Sequence, residues 1–225
     1  MSNRHETTES TAVQNFLKAV YSLQQANNDR ISTNALAEVL NVKAPSITDM
    51  ARRMVDAGLV DYERYRGVRL TDSGEHIALK VIRRHRLIEL YLVQELGYAL
   101  HEVHDEAENL EHAVSDRFIE ALAHKLGDPL VDPHGDPIPS AEGIVPERHL
   151  LPLSELPQRI RASVSRLTAD SPDMLQHILD RGFKLDAHVE VLERDPFEGP
   201  ITAVVDGEQR VIGHSVASCI WVEQK

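Results

Sequence analysis

KAPSITDMARRMVDAGLVDYERYRGVRLTDSGE, residues 43–75, decides how the rest of the chain is read. Ile47, Met50, Ala51, Met54 and Val55 fall at helical spacing, which predicts an amphipathic helix over about residues 45–57. Pro45 sits in the first turn, where its missing N–H costs nothing, and Gly58 supplies the stop. Residues 59–63 alternate like a strand, residues 64–67 make a tight connection, and residues 68–71 return. Upstream, Ala12, Phe16, Ala19, Val20 and Leu23 share one face of a first helix over residues 11–25. Ser32 is placed to cap a second helix over residues 33–40, and residues 41–44 form a short turn. Helix, short turn, helix and two-stranded ribbon make a winged helix-turn-helix, whose second helix sets its N-terminus against base edges.

The residues at that N-terminus are Ala44, Pro45, Ser46 and Thr48. They are small enough for close approach: Ser46 and Thr48 offer hydroxyls, and Ala44 and Pro45 suit thymine methyls. Arg52, Arg53, Arg64 and Arg66 are candidate phosphate anchors, which give affinity without sequence choice. The bland alternative is a solvated face. Asp49 would repel phosphate, so it is expected to accept from a cytosine amino group or to point away. The chain as a whole carries a net charge of -12. Residues 43–86 nevertheless hold ten Lys/Arg against six Asp/Glu, so an acidic protein has a local basic face.

The single cysteine, Cys219, excludes an internal disulfide and fits a reducing compartment. The first ten residues lack the apolar core of a leader, and no apolar run reaches the length of a membrane span. A cytoplasmic protein with no membrane partner is expected.

Beyond the wing, one long helix is predicted over about residues 72–96 and another, unbroken, over about 102–126. Gly97 and Gly127 close them. Residues 128–157 are rich in Pro and Gly and read as an extended connector without elements. Residues 157–167 fit a short helix or a strand, and residues 172–181 a helical turn or two. Residues 188–192, 201–205, 208–212 and 218–222 read as short strands, with Asp206-Gly207 as a hairpin signal. The C-terminal third is therefore a small antiparallel barrel or sandwich. The fold class is mostly α with β.

VHDEAENLEH, residues 103–112, carries the chemistry. On a helix, His104, Glu108, Glu111 and His112 share a face, and His85 with Glu89 repeats the i, i+4 pairing upstream. Imidazole and carboxylate donors suit divalent Mn, Fe, Co and Zn. Glu108, Glu111 and His112 form one candidate site; His85, Glu89 and His104 form a second beside it. The alternative is a polar helix surface, which one such pair would not distinguish but six residues do. His101 lies off this face. His5, His124, His149, His188 and His214 read as surface residues, and Met50, Met54 and Met174 as packing. No Glu-x-x-His, His-Glu-x-x-His, nucleophile elbow or phosphate-cradling glycine loop is present, so a metal-binding enzyme with a vestigial helix-turn-helix is the weak alternative.

Residues 43–75, RRHRLIELYL (83–92), EVHDEAENLEH (102–112) and PHGDPIP (133–139) together resemble the diphtheria toxin repressor / manganese transport regulator family. The resemblance covers nearly the whole chain. It implies a homodimeric, metal-activated transcription factor that binds a double-stranded DNA operator at metal-uptake genes. It further implies a winged helix-turn-helix domain (1–75), a helical dimerisation and metal domain (76–145) and an SH3-type barrel (146–225). By position, Glu108, Glu111 and His112 match the family's primary site, and His85, Glu89 and His104 its ancillary site. Iron-type members carry Cys where this chain has Glu108, and manganese-type members carry Glu. That favours Mn(II), with an Fe(II)-responsive repressor as the alternative. Two departures follow from the same comparison. The first helix presents Asn15 and Lys18 where manganese-type members supply Asp and Glu and the iron type supplies Met. The barrel presents Ser171 and Met174 where iron-type members supply Glu and Gln, with Asp170 or Asp173 as substitutes.

Overall fold

The computed structural model describes residues 10–27, 29–169 and 171–224. The expectations placed on His5 and Asp170 lie outside them. The chain divides into two compact units. The first comprises Met1–His85 with Glu111–Val114 and Pro139–Ile144; the second comprises Arg86–Leu110, Ser115–Ile138 and Val145–Lys225.

The first unit begins with α1 (Thr11–Asn27), which buries Val13, Phe16, Leu17 and Val20 along one stripe. The Ser32 side chain accepts from the Ala35 N–H and starts α2 (Thr33–Val39). After a turn in which Asn41 takes a positive φ, α3 (Ala44–Asp56) buries Ile47, Ala51 and Met54. The wing is β1 (Val60–Glu63) paired antiparallel with β2 (Gly67–Leu70), in register from Val60 opposite Leu70 to Glu63 opposite Gly67. Ile31 exchanges two 2.8 Å backbone hydrogen bonds with Val68, so the wing is stitched to the segment before α2. A Cβ at Gly67 would lie 2.3 Å from the Ile31 carbonyl oxygen, and its φ is +108°. Only glycine permits that approach. Helix α4 (Asp72–Leu96) starts in this unit and continues into the second.

In the second unit, α5 (Val103–Leu110) and α6 (Asp116–Lys125) replace the single helix expected over residues 102–126. The apolar spacing runs on through the break, which is why it reads as one helix. The interruption comes from Ser115, whose side chain accepts from the Phe118 N–H and opens α6. Glu111 and His112 therefore lie in a turn, not on a helix face with His104 and Glu108.

The remaining elements are β3 (Leu151–Pro152), β4 (Arg161–Leu167), α7 (Pro172–Asp180), β5 (His188–Arg194), β6 (Ile201–Val205), β7 (Glu208–Ile212), α8 (His214–Ala217) and β8 (Ile220–Gln224). Residues 161–167 thus resolve to strand. The six strands form one antiparallel sheet in the order β3-β8-β4-β5-β6-β7, around a core that includes Leu153, Val164, Ile178, Phe183, Val191, Ile201 and Ile220. Asp206 and Gly207 both take positive φ and close the β6–β7 hairpin, as their sequence signals.

Candidate metal centres and nucleic-acid interface

On α3, Pro45, Ser46, Asp49, Arg52 and Arg53 are exposed on the face opposite the buried stripe. Ala44 is half-buried at the start of the helix, and the Thr48 hydroxyl donates to its carbonyl. Asp49 faces Arg52 at 3.6 Å, so its charge is turned along the helix. Arg53 reaches the Met50 sulfur. At the wing tip, the Arg64 guanidinium stacks 4.8 Å from the centre of the Tyr65 ring, and Arg66 pairs with Glu63 at 2.8 Å. These four arginines are held by local partners yet remain exposed.

Within the first unit, His85 near the middle of α4, Glu111 and His112 in the turn after α5, and Gln14 and Lys18 on α1 come together. Glu111 is fully buried. Its Oε2 lies 2.6 Å from His85 Nδ1, and its two oxygens accept from Lys18 Nζ at 3.0 and 2.9 Å. Lys18 Nζ also stands 3.3 Å from His85 Nδ1. The His112 Nδ1 contacts Gln14 Oε1 at 2.7 Å, which fits an Nδ1–H donor and turns Nε2 toward Glu111 Oε1 at 3.3 Å. A histidine fixed by its other nitrogen is the arrangement that metal-ligating histidines adopt. On the same helix as Gln14 and Lys18, the buried Asn15 Oδ1 has no hydrogen-bond partner.

Within the second unit, Glu89 is 3 % exposed and is bracketed by two imidazoles. His104 Nδ1 approaches its Oε1 at 3.4 Å, and His134 Nδ1 its Oε2 at 3.7 Å. His104 also faces Glu108 at 3.9 Å, one turn along α5. His134 comes from the segment expected to lack structure. That segment is instead a tight loop built on Asp132, whose Oδ1 accepts from the N–H groups of His134 and Asp136 at 2.8 and 2.9 Å. Gly135 presses on β4 so closely that a Cβ would lie 2.1 Å from the Ser165 carbonyl oxygen. Leu167 N donates to the His134 carbonyl, and Arg148 to the Gly135 carbonyl. Arg166 pairs with Asp136 at 2.7 Å, while Arg86 donates to the Pro137 carbonyl and stays 3.6 Å from both Asp132 and Asp136.

The electrostatics of this loop follow from burial. Desolvation first, then the charges of Asp136 and Glu89, push the Asp132 carboxyl up to about 7, against the pull of Arg86 and His134. Burial acts to lower His134, but its polar contact with Glu89 and the charges of Glu89, Asp132 and Asp136 outweigh it and raise it. The ligand atoms of Glu89, Asp132 and His134 all lie within 4.8 Å of one another.

Three family models match the chain in succession. They are the iron dependent repressor N-terminal DNA binding domain (residues 8–68), the iron dependent repressor metal binding and dimerisation domain (71–140) and the FeoA domain (151–224). The iron-dependent repressor IdeR of Mycobacterium tuberculosis is 31% identical over 222 residues, covering 93% of this chain and 95% of that protein. The chain belongs to the diphtheria toxin repressor family of metal-dependent transcriptional repressors. The diphtheria toxin repressor of Corynebacterium diphtheriae is 27% identical over 219 residues, covering 93% of this chain and 95% of that protein. A solved structure described as a manganese-dependent transcriptional repressor in complex with manganese aligns with a TM-score of 0.87 at 42% identity. That alignment covers 95% of this chain and all of the other. The family architecture is present here as a DNA-binding domain, a dimerisation domain and an SH3-like C-terminal sheet.

Family membership makes the donor sets a question of fit. In the first unit, His85, Glu111 and His112 offer nitrogen and carboxylate oxygen, and the unpartnered Asn15 Oδ1 is a further hard donor. Lys18 is the obstacle, because an ammonium donates three hydrogens and offers no lone pair. It stands where a divalent ion at Glu111 would sit, so such an ion would have to displace it. The residues therefore fit a metal once Lys18 has moved. In the second unit, His104 stands between Glu89, expected in its site, and Glu108, its i, i+4 neighbour expected in the other site. Asp132 and His134, which lie beside Glu89, were missed by reading residues 128–157 as an extended connector. The signal was available: Asp-Pro-His-Gly-Asp combines an Asx-turn former with two residue types that bind metals.

Proposed function

We propose that this chain is a Mn(II)-responsive repressor that binds a DNA operator as a homodimer in the cytoplasm and controls metal-uptake genes. The domain division 1–75, 76–145 and 146–225 belongs to this reading. The observation that carries it is the donor chemistry: carboxylate and imidazole throughout, with no sulfur among the candidate ligands. Such a set favours Mn(II) and tolerates Fe(II), and Glu108 is the residue that places oxygen where thiolate would favour softer ions. The proposed ligands are His85, Glu111 and His112 in the first unit and Glu89, His104 and Glu108 in the second. When bound, a divalent cation supplies positive charge that the buried carboxylates otherwise draw from Lys18 and the histidines.

Everything else in the switch is done by residues of the chain. Gln14 holds His112 in a single orientation. Glu111 ties the turn after α5 to α1 and α4. Ser46 and Thr48 with Ala44 and Pro45 form the base-reading end of α3, and Arg52, Arg53, Arg64 and Arg66 neutralise phosphates. Metal drives DNA binding only to the extent that it binds the DNA-competent arrangement more tightly than the other.

The test is fluorescence anisotropy of labelled duplexes, selected from a random pool with Mn(II), titrated with Mn(II), with anaerobic Fe(II) and with Zn(II). Mn(II) is expected to tighten binding at least tenfold at the lowest free concentration. Activation by Fe(II) at lower free concentration moves the assignment to the iron reading. Equal affinity in chelator overturns the metal-responsive reading.

A further inference from the structure

One nitrogen of the chain stands among three atoms of the first unit's donor set. Lys18 Nζ lies 3.0 and 2.9 Å from the two Glu111 oxygens and 3.3 Å from His85 Nδ1. An ammonium has three hydrogens to give and no lone pair, so it sits among these atoms as a small cation would. We infer that Lys18 is an exchangeable counter-ion built into the chain. It fills the centre in the absence of metal, leaves for solvent when a divalent ion enters, and so sets the metal concentration at which the repressor responds. This inference rests on the proposed metal response and deepens it.

Burial makes the exchange strict. Glu111 is fully buried and His85 nearly so. Two cations on one carboxylate in so poorly solvated a place repel each other with little screening by water. A buried carboxylate with no cation beside it is costly in turn, and Lys18 supplies the charge when the medium does not. The geometry permits the swap. The Lys18 side chain is 16 % exposed, so its ammonium has a way out to water on a flexible four-carbon stem. Its helix does not have to follow, because Val13, Phe16, Leu17 and Val20 hold α1 in the core of the first unit. The His112 ring does not have to follow either. Gln14 meets its Nδ1 at 2.7 Å, and its Nε2 already faces Glu111 Oε1 at 3.3 Å. Every ion that reaches Glu111 therefore binds against the same intramolecular competitor, which weakens the apparent affinity without changing the donors.

Amine acetylation, read residue by residue by mass spectrometry, tests the exchange on the full-length protein without DNA. Wild type, Lys18→Met and His112→Ala are labelled at one pH in chelator and in Mn(II), and the bound metal is counted on the same samples. In wild type, Lys18 is expected to label at least tenfold faster in Mn(II) than in chelator, while Lys184, exposed in the second unit, keeps its rate. The sign is the discriminating feature: a metal that merely tightens the fold slows labelling. His112→Ala is expected to lose the acceleration. Lys18→Met is expected to reach half-saturation at a free Mn(II) concentration at least tenfold lower than wild type, with circular dichroism in Mn(II) checking that each variant is folded. Mn(II) retained by wild type with Lys18 labelled no faster than in chelator overturns the exchange and leaves the proposed metal response standing. No Mn(II) retained by wild type overturns both.

Discussion

Lys18 meets Glu111 in the first unit. A fully buried carboxylate is met by an ammonium that reaches both oxygens, beside two imidazoles. Removing one partner of such a pair leaves the other uncompensated, so Lys18→Met is expected to cost the metal-free protein about 3 kcal/mol in denaturant unfolding. On the proposed function, the same substitution removes the cation that Mn(II) would displace, so dialysis should read tighter Mn(II) binding, not weaker. A variant that is both as stable and as weakly binding as wild type contradicts this role. Asp132 poses the opposite case. Its carboxyl is raised from 3.8 to about 7, so the folded state holds a proton that the unfolded chain has released between those values. Stability in chelator therefore falls as pH rises from about 4 to 7. Asp132→Asn is expected to flatten that decline, giving a higher melting temperature than wild type at pH 8; a steeper decline would contradict it. Raised His134 adds stability that is lost in the same direction, so some slope remains in the variant. None of this was legible in the sequence. Asn15 and Lys18 stood out as departures from a ligand pattern, but which carboxylate Lys18 meets depends on a residue 93 positions away.

At the scale of elements, the sequence was most informative where one local signal decides one structure. The buried stripe of α3, the Ser32 cap, the wing register and the Asp206-Gly207 hairpin all follow from spacing, capping or φ preference. It was least informative where two signals compete. Across residues 110–116 the helical period persists, and the Ser115 cap overrides it. In residues 132–136 the Pro and Gly content hides a loop ordered by one buried side chain. The wing offers the clearest test at this scale. Gly67 carries φ +108° and meets the Ile31 carbonyl at a distance that no Cβ tolerates. Gly67→Ala is expected to destabilise the protein by about 2 kcal/mol or more in denaturant unfolding. It should also weaken DNA binding beyond that loss, because Arg64 and Arg66 ride on the displaced strand pair. Unchanged midpoint and affinity would show that the stitch between Ile31 and Val68 does not position the wing.

For the molecule as a whole, charge distribution sets how it meets a polyanion. The chain carries a net charge of -12, and only a local basic face gives DNA a favourable approach. Association should therefore be strongly salt-dependent despite the acidic total. Replacing Arg52 or Arg64 with alanine is expected to lower the slope of log affinity against log salt by about 1 for each phosphate that is no longer neutralised. An unchanged slope would remove that arginine from the interface. No helix among the described residues is long and apolar enough to cross a membrane. The passage from helical domains to the C-terminal sheet was legible in the sequence because the apolar period changes from 3.6 residues to 2. The second unit's dependence on its own sheet was not legible. Strand β4 backs the Asp132 loop through Leu167 N, Arg166 and the Ser165 carbonyl, and Arg148 ties Gly135 to the same strand. A chain shortened at residue 145 would thus lose more than a terminal module. It would strip the backing from the loop and admit water to Asp132 and His134. The C-terminal sheet acts as a brace for this loop.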